Sequence, residues 1–446
     1  MGCRRRSCYA QRVARAAHWL LVLLAALGGC GRSSPASGPD VVVVLVDALR
    51  ADRLGPWGAT GPTPAVDAFA AEAVVFDGAI APSAWTVPSV ASLMTGLHPQ
   101  SHRVLKHRSG AGIELDTLSP ELLTLAEVFD AAGYRTGALL KSRWIDAEHG
   151  FAQGFDEFRW VPGDRASGQS AAELTAAAVE WLGRSRGSTP VFLYLHYMDP
   201  HSPYQAPEPR LDPALLRASE MDGSHEGVAR FKEGEAVPTE ADVALLRARY
   251  DAEVHYLDQQ LGELFEVLGD EAVVALVADH GEQLHEHGGW FHEHLWQENL
   301  HVPLVVRAPG LEPGRVEGWV STVGLGATLV ELAGLQPPPS WEGRSLVDEA
   351  RAGRARSEPV FAEYGAGRAV LLGHRKLILA EGDPALYDMA ADPGERVALE
   401  PDTDLEALIR THLEQTRERG RQLGGTGSRP LTDEQVEELR RLGYLD

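Results

Sequence analysis

DVVVVLVDALRAD, residues 40–52, is apolar at every position from Val41 to Val46 and becomes polar at Asp47. A strand with one face in water alternates apolar and polar residues, so this unbroken run predicts a strand buried on both faces, as in a parallel sheet. Ligands of such sheets bind beyond the carboxyl ends of the strands. The stretch therefore predicts a buried parallel strand and makes Asp47 a candidate functional residue.

The same pattern recurs along the chain between helical segments. Further buried strands are predicted in PVFLYLHYMDPHSPY (190–204), EAVVALVADHGEQ (271–283) and VPLVVRAPG (302–310). Residues 241–269 have helical periodicity, and residues 123–141 read as helix, turn and strand. Strands that alternate with helices predict an α/β fold, in which helices sandwich a mainly parallel central sheet.

The chain divides into four predicted segments: a lipoprotein signal peptide (1–29), a flexible tether (30–39), a large catalytic α/β domain (40–350) and a C-terminal subdomain (351–446). The last segment is expected to contain a small antiparallel sheet and a closing helix, which begins at a capping box formed by Thr432 and Gln435. Residues 205–240 are rich in proline, glycine and acids, and we interpret them as a surface excursion near the site that could act as a lid.

The first residues are typical of an export signal. A basic start precedes the apolar run WLLVLLAALGG (19–29), which is shorter than the about 20 residues of a membrane span. LGGC resembles the lipobox of bacterial lipoproteins, which predicts an exported protein anchored through lipidated Cys30, on the periplasmic side or at the cell surface. An ordinary cleaved secretion signal is the alternative. Because Cys3 and Cys8 leave with the signal, we expect no disulfide and no thiol in the folded domain.

The charge balance argues against one class of partner. The chain has 64 acidic and 41 basic residues, and its formal net charge is −23. Nucleic-acid binding needs basic surface that displaces counterions, so we expect no nucleic-acid partner. An anionic substrate remains compatible with this charge, because a metal ion and a few basic groups can set the local field of a site.

Metal-binding residue types follow three of the predicted strands, namely Asp47, His196 to His201, and the pair Asp279 and His280. Aspartate and histidine together supply the oxygen and nitrogen donors of a divalent-metal site. The alternative is that Asp279 caps the next turn while His280 packs in the core. Several more histidines lie between His280 and His301, and we expect one or two of the histidines in this stretch to face the site.

The stretch APSAWTVPSVASLMTG (81–96) contains the candidate nucleophile Thr86. Ser89 and Ser92 can cap a helix that begins just after it, which would direct the positive end of the helix toward Thr86. A hydroxyl in this position beside a divalent cation can lose its proton and attack an ester. The alternative is that Thr86 is only the helix cap, and Ser83 is a weaker competitor as the nucleophile.

Taken together, these segments resemble the sulfatase family of the alkaline phosphatase superfamily. The resemblance runs from about residue 39 to about residue 400 and rests on motifs that occur in family order, among them VVVVLVDALRADRLG, TVPSVASLMTGLHP, YMDPHSPY, VADHGEQLHEHGGW and LYDMAADPGE. No single motif decides the resemblance, but the ordered set is specific to the family.

The resemblance implies a role for each matching residue. The implied metal ligands are Asp47, Thr86, Asp279 and His280, with Thr86 also at the nucleophile position. Lys141 resembles the basic residue that contacts the substrate anion, and His201 resembles the histidine that faces the leaving group. His292 lies where sulfatases tend to have a lysine, and we group it with the catalytic residues.

Three departures from the family pattern bear on the chemistry. Sulfatases convert a cysteine or serine at the nucleophile position to formylglycine, and because Thr86 cannot become that aldehyde, no formylglycine is expected. Val90 replaces the arginine that usually supports the nucleophile, and Ala48 stands where many sulfatases have a second acid.

A threonine with nearby histidines is similar to the phosphoethanolamine transferases and nucleotide phosphodiesterases of the superfamily, so His201 and His292 could hold a second metal. The expected cofactor is Ca²⁺, as in sulfatases, or Zn²⁺ or Mn²⁺.

These features predict a metal-dependent ester hydrolase, sulfatase-like or phosphodiesterase-like, that acts on an anionic ester through Thr86. Phosphoric or phosphonic esters are expected over sulfuric esters. The reason is that a phosphoryl-threonine can be hydrolysed in a metal site, whereas a sulfate ester on threonine has no hemiacetal route for eliminating sulfate. Two alternatives stay open, a phosphoethanolamine-type phosphotransferase and a catalytically inactive, lipid-anchored binding protein.

Overall fold

The structure is a computed structural model, which describes residues 38–105, 107–109, 113–163, 170–207, 211–219, 221–380, 383–424, 426–432 and 436. The predicted signal peptide, most of the predicted tether, and Gln435 with most of the closing helix lie outside the described residues. Among the residues that are described, no helix is both long enough and apolar enough to span a membrane.

The strands and helices are numbered separately in chain order. The strands are β1 (Val41–Val46), β2 (Val74–Ile80), β3 (His107–Ser109), β4 (Ile113–Asp116), β5 (Arg135–Leu140), β6 (Glu157–Trp160), β7 (Val191–Tyr197), β8 (Val273–Ala278), β9 (Gln283–Leu284), β10 (Trp290–Phe291), β11 (His301–Val302), β12 (Leu304–Arg307), β13 (Gly314–Ser321), β14 (Val360–Tyr364), β15 (Gly367–Leu372), β16 (Arg375–Leu379), β17 (Ala385–Asp388) and β18 (Ser428–Pro430). The helices are α1 (Pro64–Ala71), α2 (Thr86–Thr95), α3 (Pro99–His102), α4 (Leu125–Ala131), α5 (Ser170–Ser185), α6 (Pro213–Ala218), α7 (His225–Lys232), α8 (Glu240–Leu268), α9 (Gln297–Leu300), α10 (Leu325–Leu332), α11 (Val347–Ala352) and α12 (Thr403–Gln422).

A nine-stranded sheet forms the centre of the fold, in the order β11-β2-β12-β8-β1-β7-β5-β6, with β13 beside β2. The run β8-β1-β7-β5-β6 is parallel throughout, whereas β12 lies antiparallel to both β8 and β2. The prediction of a mainly parallel central sheet is therefore confirmed. Every residue of β1, β7 and β8 is buried, which the unbroken apolar sequences of β1 and β8 predict. In β7 the buried residues include His196.

The register of the three central strands positions the site. Val46 of β1 pairs with Tyr197 of β7 on one side and with Ala278 of β8 on the other. The three strands therefore end at the same level, and the residues that follow them emerge together at one edge of the sheet.

Helices flank this sheet, as predicted. Helix α5 packs on β7 and on the long helix α8, while α10 packs against α2 and α4. Helix α8 starts with a capping box between Thr239 and Asp242, which satisfies amide groups that have no partner in the first turn. It buries side chains at helical spacing, including those of Tyr250, Leu257 and Leu264, so one stripe of the helix faces the core.

The C-terminal part contains the predicted antiparallel sheet, with the strand order β14-β15-β16-β17. One set of its side chains packs with Ile80, Ala84 and Leu300 of the large domain. Another set packs with Leu405 and Ile409 of α12, a helix that the sequence analysis does not identify. This small sheet is thus in apolar contact with the large domain, and the boundary placed at residue 350 stays a prediction.

Candidate active site

Two buried carboxylates lie at the carboxyl ends of neighbouring strands. Asp47 follows β1 and Asp279 follows β8, and their side chains are 0% exposed. Asp47 Oδ1 and Asp279 Oδ2 each lie 3.5 Å from Nε2 of His280. The structure therefore brings together three of the predicted metal ligands around one point, as the alignment of the strand ends requires.

His196 also belongs to this group; the sequence analysis includes it among the metal-binding residue types at the strand ends but not among the implied metal ligands. Its Nε2 lies 3.4 Å from Asp47 Oδ2, and Asp47, His196 and Asp279 offer ligand atoms that are all within 4.8 Å of one another. Burial lowers the pKa of His196 to about 4, so the ring is neutral and can donate a nitrogen lone pair. The signal in the sequence is a histidine inside the buried strand FLYLHY, one residue before the end of β7.

The donor set fits a divalent cation. Burial, together with the nearby charge of Asp47, raises the pKa of Asp279 well above its usual range, and Asp279 Oδ2 is buried without a hydrogen-bond partner. His280 Nδ1 donates to the Gly281 carbonyl at 2.9 Å, which leaves the Nε2 lone pair facing the two carboxylates. Two carboxylates enclosed in a desolvated site repel each other unless a positive charge lies between them. Asp47, Asp279 and His280 thus have the chemistry of a metal site.

Thr86 is the first residue of helix α2 and is 1% exposed. Its Oγ1 lies 3.2 Å from His280 Nε2. Because the other ring nitrogen of His280 donates to Gly281, Nε2 is the acceptor, and the Thr86 hydroxyl donates to it. The side chain predicted as the nucleophile therefore lies at the cluster of carboxylates and imidazole.

The start of α2 differs from the prediction in how it is capped. The residue preceding the helix is Trp85, and no side chain caps it, so the interpretation of Thr86 as only a cap is wrong. Ser89 Oγ donates to the Ser83 carbonyl at 2.9 Å, and Ser92 Oγ bonds to His102, so the predicted serine caps are wrong as well. The serines lie beyond the first turn, where their hydroxyls find partners outside the helix end.

His201 and His292 face each other beside this cluster, with their Nε2 atoms 3.3 Å apart. Nδ1 of His201 donates to the Ser202 carbonyl at 2.9 Å, and Nδ1 of His292 donates to the Ala84 carbonyl at 3.1 Å. Both Nε2 lone pairs therefore point into one small space, in which a proton or a cation can be shared. The His292 ring also stacks on His280, with the ring centres 4.2 Å apart.

The other histidines of residues 280–301 have structural partners. His294 bonds to the Gln283 side chain and His301 to the Asp77 carbonyl, while His285 and His287 stack on tryptophans. His280 and His292 are thus the two histidines of this stretch that the structure brings to the cluster.

Lys141 follows β5 at the same edge of the sheet, but its ammonium points to protein groups. Nζ donates to the Pro162 carbonyl at 3.1 Å and forms an ion pair with Glu173. The Lys141 side chain is buried, whereas the Glu173 side chain is 34% exposed and Pro162 lies at the surface. A contact between Lys141 and a substrate anion stays a prediction, and it requires the ion pair with Glu173 to open or to be shared.

Residues 205–240 fold partly into helices α6 and α7, which the sequence analysis does not predict. His225 of α7 bonds through Nδ1 to Ser202 Oγ at 3.1 Å and stacks on Phe291 with ring centres 4.5 Å apart. Lys232 at the end of α7 pairs with Glu293 at 2.8 Å. The excursion therefore contacts both the loop of His201 and the loop of His292.

A second group of possible metal ligands, His287, Glu298 and Glu395, lies outside this site. Lys376 Nζ lies 2.6 Å from Glu395 Oε1, and both side chains are fully buried. The Lys376 ammonium thus already compensates the buried Glu395 carboxylate, and the group is better explained as a structural ion pair than as a metal site.

Comparison with known proteins identifies the family. The family model described as Sulfatase matches residues 39–335. The chain belongs to the sulfatase family. Sulfatases of this family are metal-dependent hydrolases of ester bonds, and the protein is accordingly an ester-bond hydrolase.

Similar proteins include enzymes of more than one specificity. The choline-sulfatase of Rhizobium meliloti strain 1021 is 27% identical over 80% of this chain and 81% of its own length. The structure of BT4656 with its substrate D-glucosamine-2-N,6-O-disulfate has a TM-score of 0.69 and 19% identity, covering 86% of this chain and 99% of that one. The phosphonate monoester hydrolase of Agrobacterium radiobacter has a TM-score of 0.67 and 23% identity, covering 88% and 100%. At these identities the two structures show the shared fold.

Proposed function

We propose that this sulfatase-family protein hydrolyses phosphoric or phosphonic esters in preference to sulfuric esters, with Thr86 as the nucleophile. The observation that carries the proposal is the position of Thr86 Oγ1, 3.2 Å from His280 Nε2 and buried at the cluster that contains Asp47 and Asp279. A hydroxyl fixed at this place, at the start of a helix, has the geometry of an activated nucleophile.

Asp47, Thr86, Asp279 and His280 would hold the cation. When bound, a divalent cation there supplies Lewis-acid stabilisation of negative charge on the ester oxygens and lowers the proton affinity of the hydroxyl. Helix α2 would add to this field, because Thr86 is its first residue and the positive end of a helix favours a bound anion.

In the first step Thr86 Oγ attacks phosphorus, a phosphorus–oxygen bond forms to Thr86, and the bond to the leaving alcohol breaks. The proton lost by the Thr86 hydroxyl goes to the leaving alcohol, and we assign its transfer to His201 and His292, whose Nε2 atoms lie 3.3 Å apart. In the second step water attacks phosphorus and the bond between phosphorus and Thr86 Oγ1 breaks. The proton lost by the water goes to Thr86 Oγ1, which restores the hydroxyl as the phosphate or phosphonate product leaves. This resolution step is the reason for preferring phosphorus, since a threonine sulfate ester lacks the hemiacetal route of formylglycine.

The similar proteins include enzymes of both chemistries. The similar fold of a phosphonate monoester hydrolase agrees with phosphorus chemistry, whereas the choline-sulfatase agrees with sulfate esters. Threonine at residue 86 favours the first, because a sulfatase nucleophile of the formylglycine type requires cysteine or serine. His292, in the position where sulfatases tend to have lysine, is a further departure from the sulfatase pattern.

The proposal is tested with the purified protein and four esters of the same aryl alcohol: a sulfate, a phosphate monoester, a phosphodiester and a phosphonate monoester. We expect kcat/KM for the best phosphorus ester to exceed that for the sulfate by at least about tenfold, which corresponds to about 1.4 kcal/mol in transition-state binding. A higher value for the sulfate would contradict the proposal. Turnover with added non-water acceptors separates a phosphotransferase from a hydrolase, and no turnover of any ester would favour the binding-protein alternative.

Variants at residue 86 test the nucleophile itself. Thr86→Ala is expected to lower kcat by about 10³-fold or more, whereas Thr86→Ser, which keeps the hydroxyl, retains measurable turnover. Ser83→Ala is the matched control and is expected to act as wild type. Mass spectrometry after an acid quench should find a phosphoryl adduct on the peptide that contains Thr86. Turnover by Thr86→Ala equal to wild type would rule the mechanism out.

We also infer export and membrane attachment through a lipidated Cys30, which rests on the sequence of residues 1–30 alone. Cys30→Ser is expected to release the protein from the membrane fraction, and mass spectrometry of the wild-type N-terminus should find acyl chains on Cys30. A mature N-terminus that begins after Cys30 would support the ordinary secretion signal instead.

A further inference from the structure

Ala48 has an unusual backbone conformation next to a metal-ligand position. It follows Asp47 directly, and its φ of +57° lies in the left-handed region that glycine tolerates and alanine disfavours. A non-glycine residue keeps such a φ only where the surrounding structure enforces it, and such residues cluster at functional sites.

The left-handed turn at Ala48 lies between the two carboxylates of the site, because it follows Asp47 in the chain and its amide bonds to Asp279. The Asp47 amide still bonds to the Tyr197 carbonyl at 2.9 Å, so Asp47 remains in register with the sheet. The next amide, that of Ala48, has already left the sheet and donates to Asp279 Oδ1 at 3.3 Å. The turn at Ala48 therefore sets the backbone position from which the Asp47 side chain extends. It also orients the Asp279 carboxylate through the hydrogen bond from the Ala48 amide.

A single side chain holds both ends of this turn. Tyr250 Oη donates to the Ala48 carbonyl at 2.7 Å and accepts the Arg50 amide at 3.0 Å. Tyr250 lies on α8, 200 residues further along the chain, and it is fully buried. The Arg50 side chain continues the link, because its guanidinium donates to the Glu282 carbonyl in the loop that follows His280.

We propose that Tyr250 is a positioning residue, whose hydroxyl holds the left-handed turn at Ala48 and thereby presents the Asp47 and Asp279 carboxylates to the cation. This inference rests on the proposed function of the site as a cation-dependent ester hydrolase. Tyr250 acts through the backbone of residues 48–50 and the two carboxylates. Residues that orient metal ligands in this way commonly change metal affinity 10- to 100-fold when they are removed.

The test compares Tyr250→Phe, which removes one hydroxyl and keeps the ring, with a matched control on the same helix. Tyr256→Phe is that control, since the Tyr256 hydroxyl accepts the Ala172 amide and has no part in the turn at Ala48. Chelator-treated protein is titrated by calorimetry with Mn²⁺ alone, with Ca²⁺ alone and with Zn²⁺ alone. We expect the Kd of Tyr250→Phe to rise at least about tenfold for the cation that wild type binds, and that of Tyr256→Phe to stay within about twofold.

A second variant separates positioning from general destabilisation. Glycine adopts a φ of +57° without strain, so Ala48→Gly makes the turn less dependent on Tyr250. The rise in Kd caused by Tyr250→Phe is therefore expected to be smaller in the Ala48→Gly background than in wild type. If Tyr250→Phe alone fails to fold, the effect of removing the hydroxyl can still be measured in the Ala48→Gly background. Hydrogen exchange of the metal-free protein should show faster exchange of the Arg50 amide in Tyr250→Phe.

The outcomes distinguish this inference from the proposed function. Equal cation affinity in wild type and Tyr250→Phe would overturn the role of Tyr250 and leave the proposed function standing. An effect of Tyr250→Phe that is the same with alanine and with glycine at residue 48 would also overturn it, because the turn would then not be the link. Wild-type protein that binds none of the three cations would overturn both.

Discussion

His102 allows a quantitative prediction about the helix that carries Thr86. The Val104 amide donates to His102 Nδ1 at 3.1 Å, so the proton of the neutral ring lies on Nε2 and bonds to Ser92 Oγ at 3.0 Å. Burial lowers the pKa of His102 to about 3, against the opposing effect of a hydrogen bond to the Pro88 carbonyl. The ring therefore stays neutral in the folded protein at pH values at which an unfolded chain would protonate it.

The sign and the size of the effect follow from these two pKa values. Because the folded-state pKa is the lower one, the unfolded state binds more protons below about pH 6.5, and stability falls as the pH drops from there toward about 3. Each pKa unit corresponds to about 1.4 kcal/mol, so His102 alone should lower the free energy of unfolding by about 2 kcal/mol between pH 7.5 and pH 5.0. The stability that depends on a neutral His102 is therefore retained above about pH 6.5 and is lost as the pH falls below it.

The assay is denaturant unfolding of the chelator-treated protein at pH 7.5 and pH 5.0. In His102→Gln the loss of stability between these pH values should be about 2 kcal/mol smaller than in wild type. His374→Gln is the control, because the side chain of His374 is 63% exposed and water reaches it in both states. A loss in His102→Gln equal to that of wild type would refute the reasoning.

Three further predictions concern the site and its support. Asp279→Asn should abolish stoichiometric divalent cation in dialysed protein, measured by elemental analysis, because an amide replaces a buried carboxylate; full retention of metal would count against the assigned ligand set. Lys376→Met should lower the free energy of unfolding by about 3–5 kcal/mol because it leaves the buried carboxylate of Glu395 uncompensated, and adding Glu395→Gln should restore part of it in the same unfolding assay. Gly281→Ala should cost about 1–3 kcal/mol and weaken cation binding, since its Cβ would lie 2.0 Å from the Glu298 carbonyl oxygen; unchanged thermal unfolding would disprove that contact.

The central strands could be predicted from the sequence because burial on both faces leaves a direct mark on composition. Every residue of Val41–Val46 and Val273–Ala278 is apolar, and both segments are buried parallel strands. The direction of Leu304–Arg307 could not be predicted, since an antiparallel strand buried in the same sheet has the same apolar sequence. The short helices of residues 205–240 were not predicted, and the cap of helix α2 was predicted wrongly. In both cases the helix boundaries depend on partners far along the chain.

By itself, the sequence determined the α/β class and the residue types at the strand ends, because hydrophobic periodicity and strand-end chemistry are local properties of a chain. The tertiary structure decided which of those residues meet. It placed His196 next to the Asp47 carboxylate, paired Lys141 with Glu173, and brought His201 into contact with His292. It also fixed the turn at Ala48 through Tyr250. The physical reason is that register, rotamer and ion pairing depend on groups that only the folded chain brings within a few ångströms of one another.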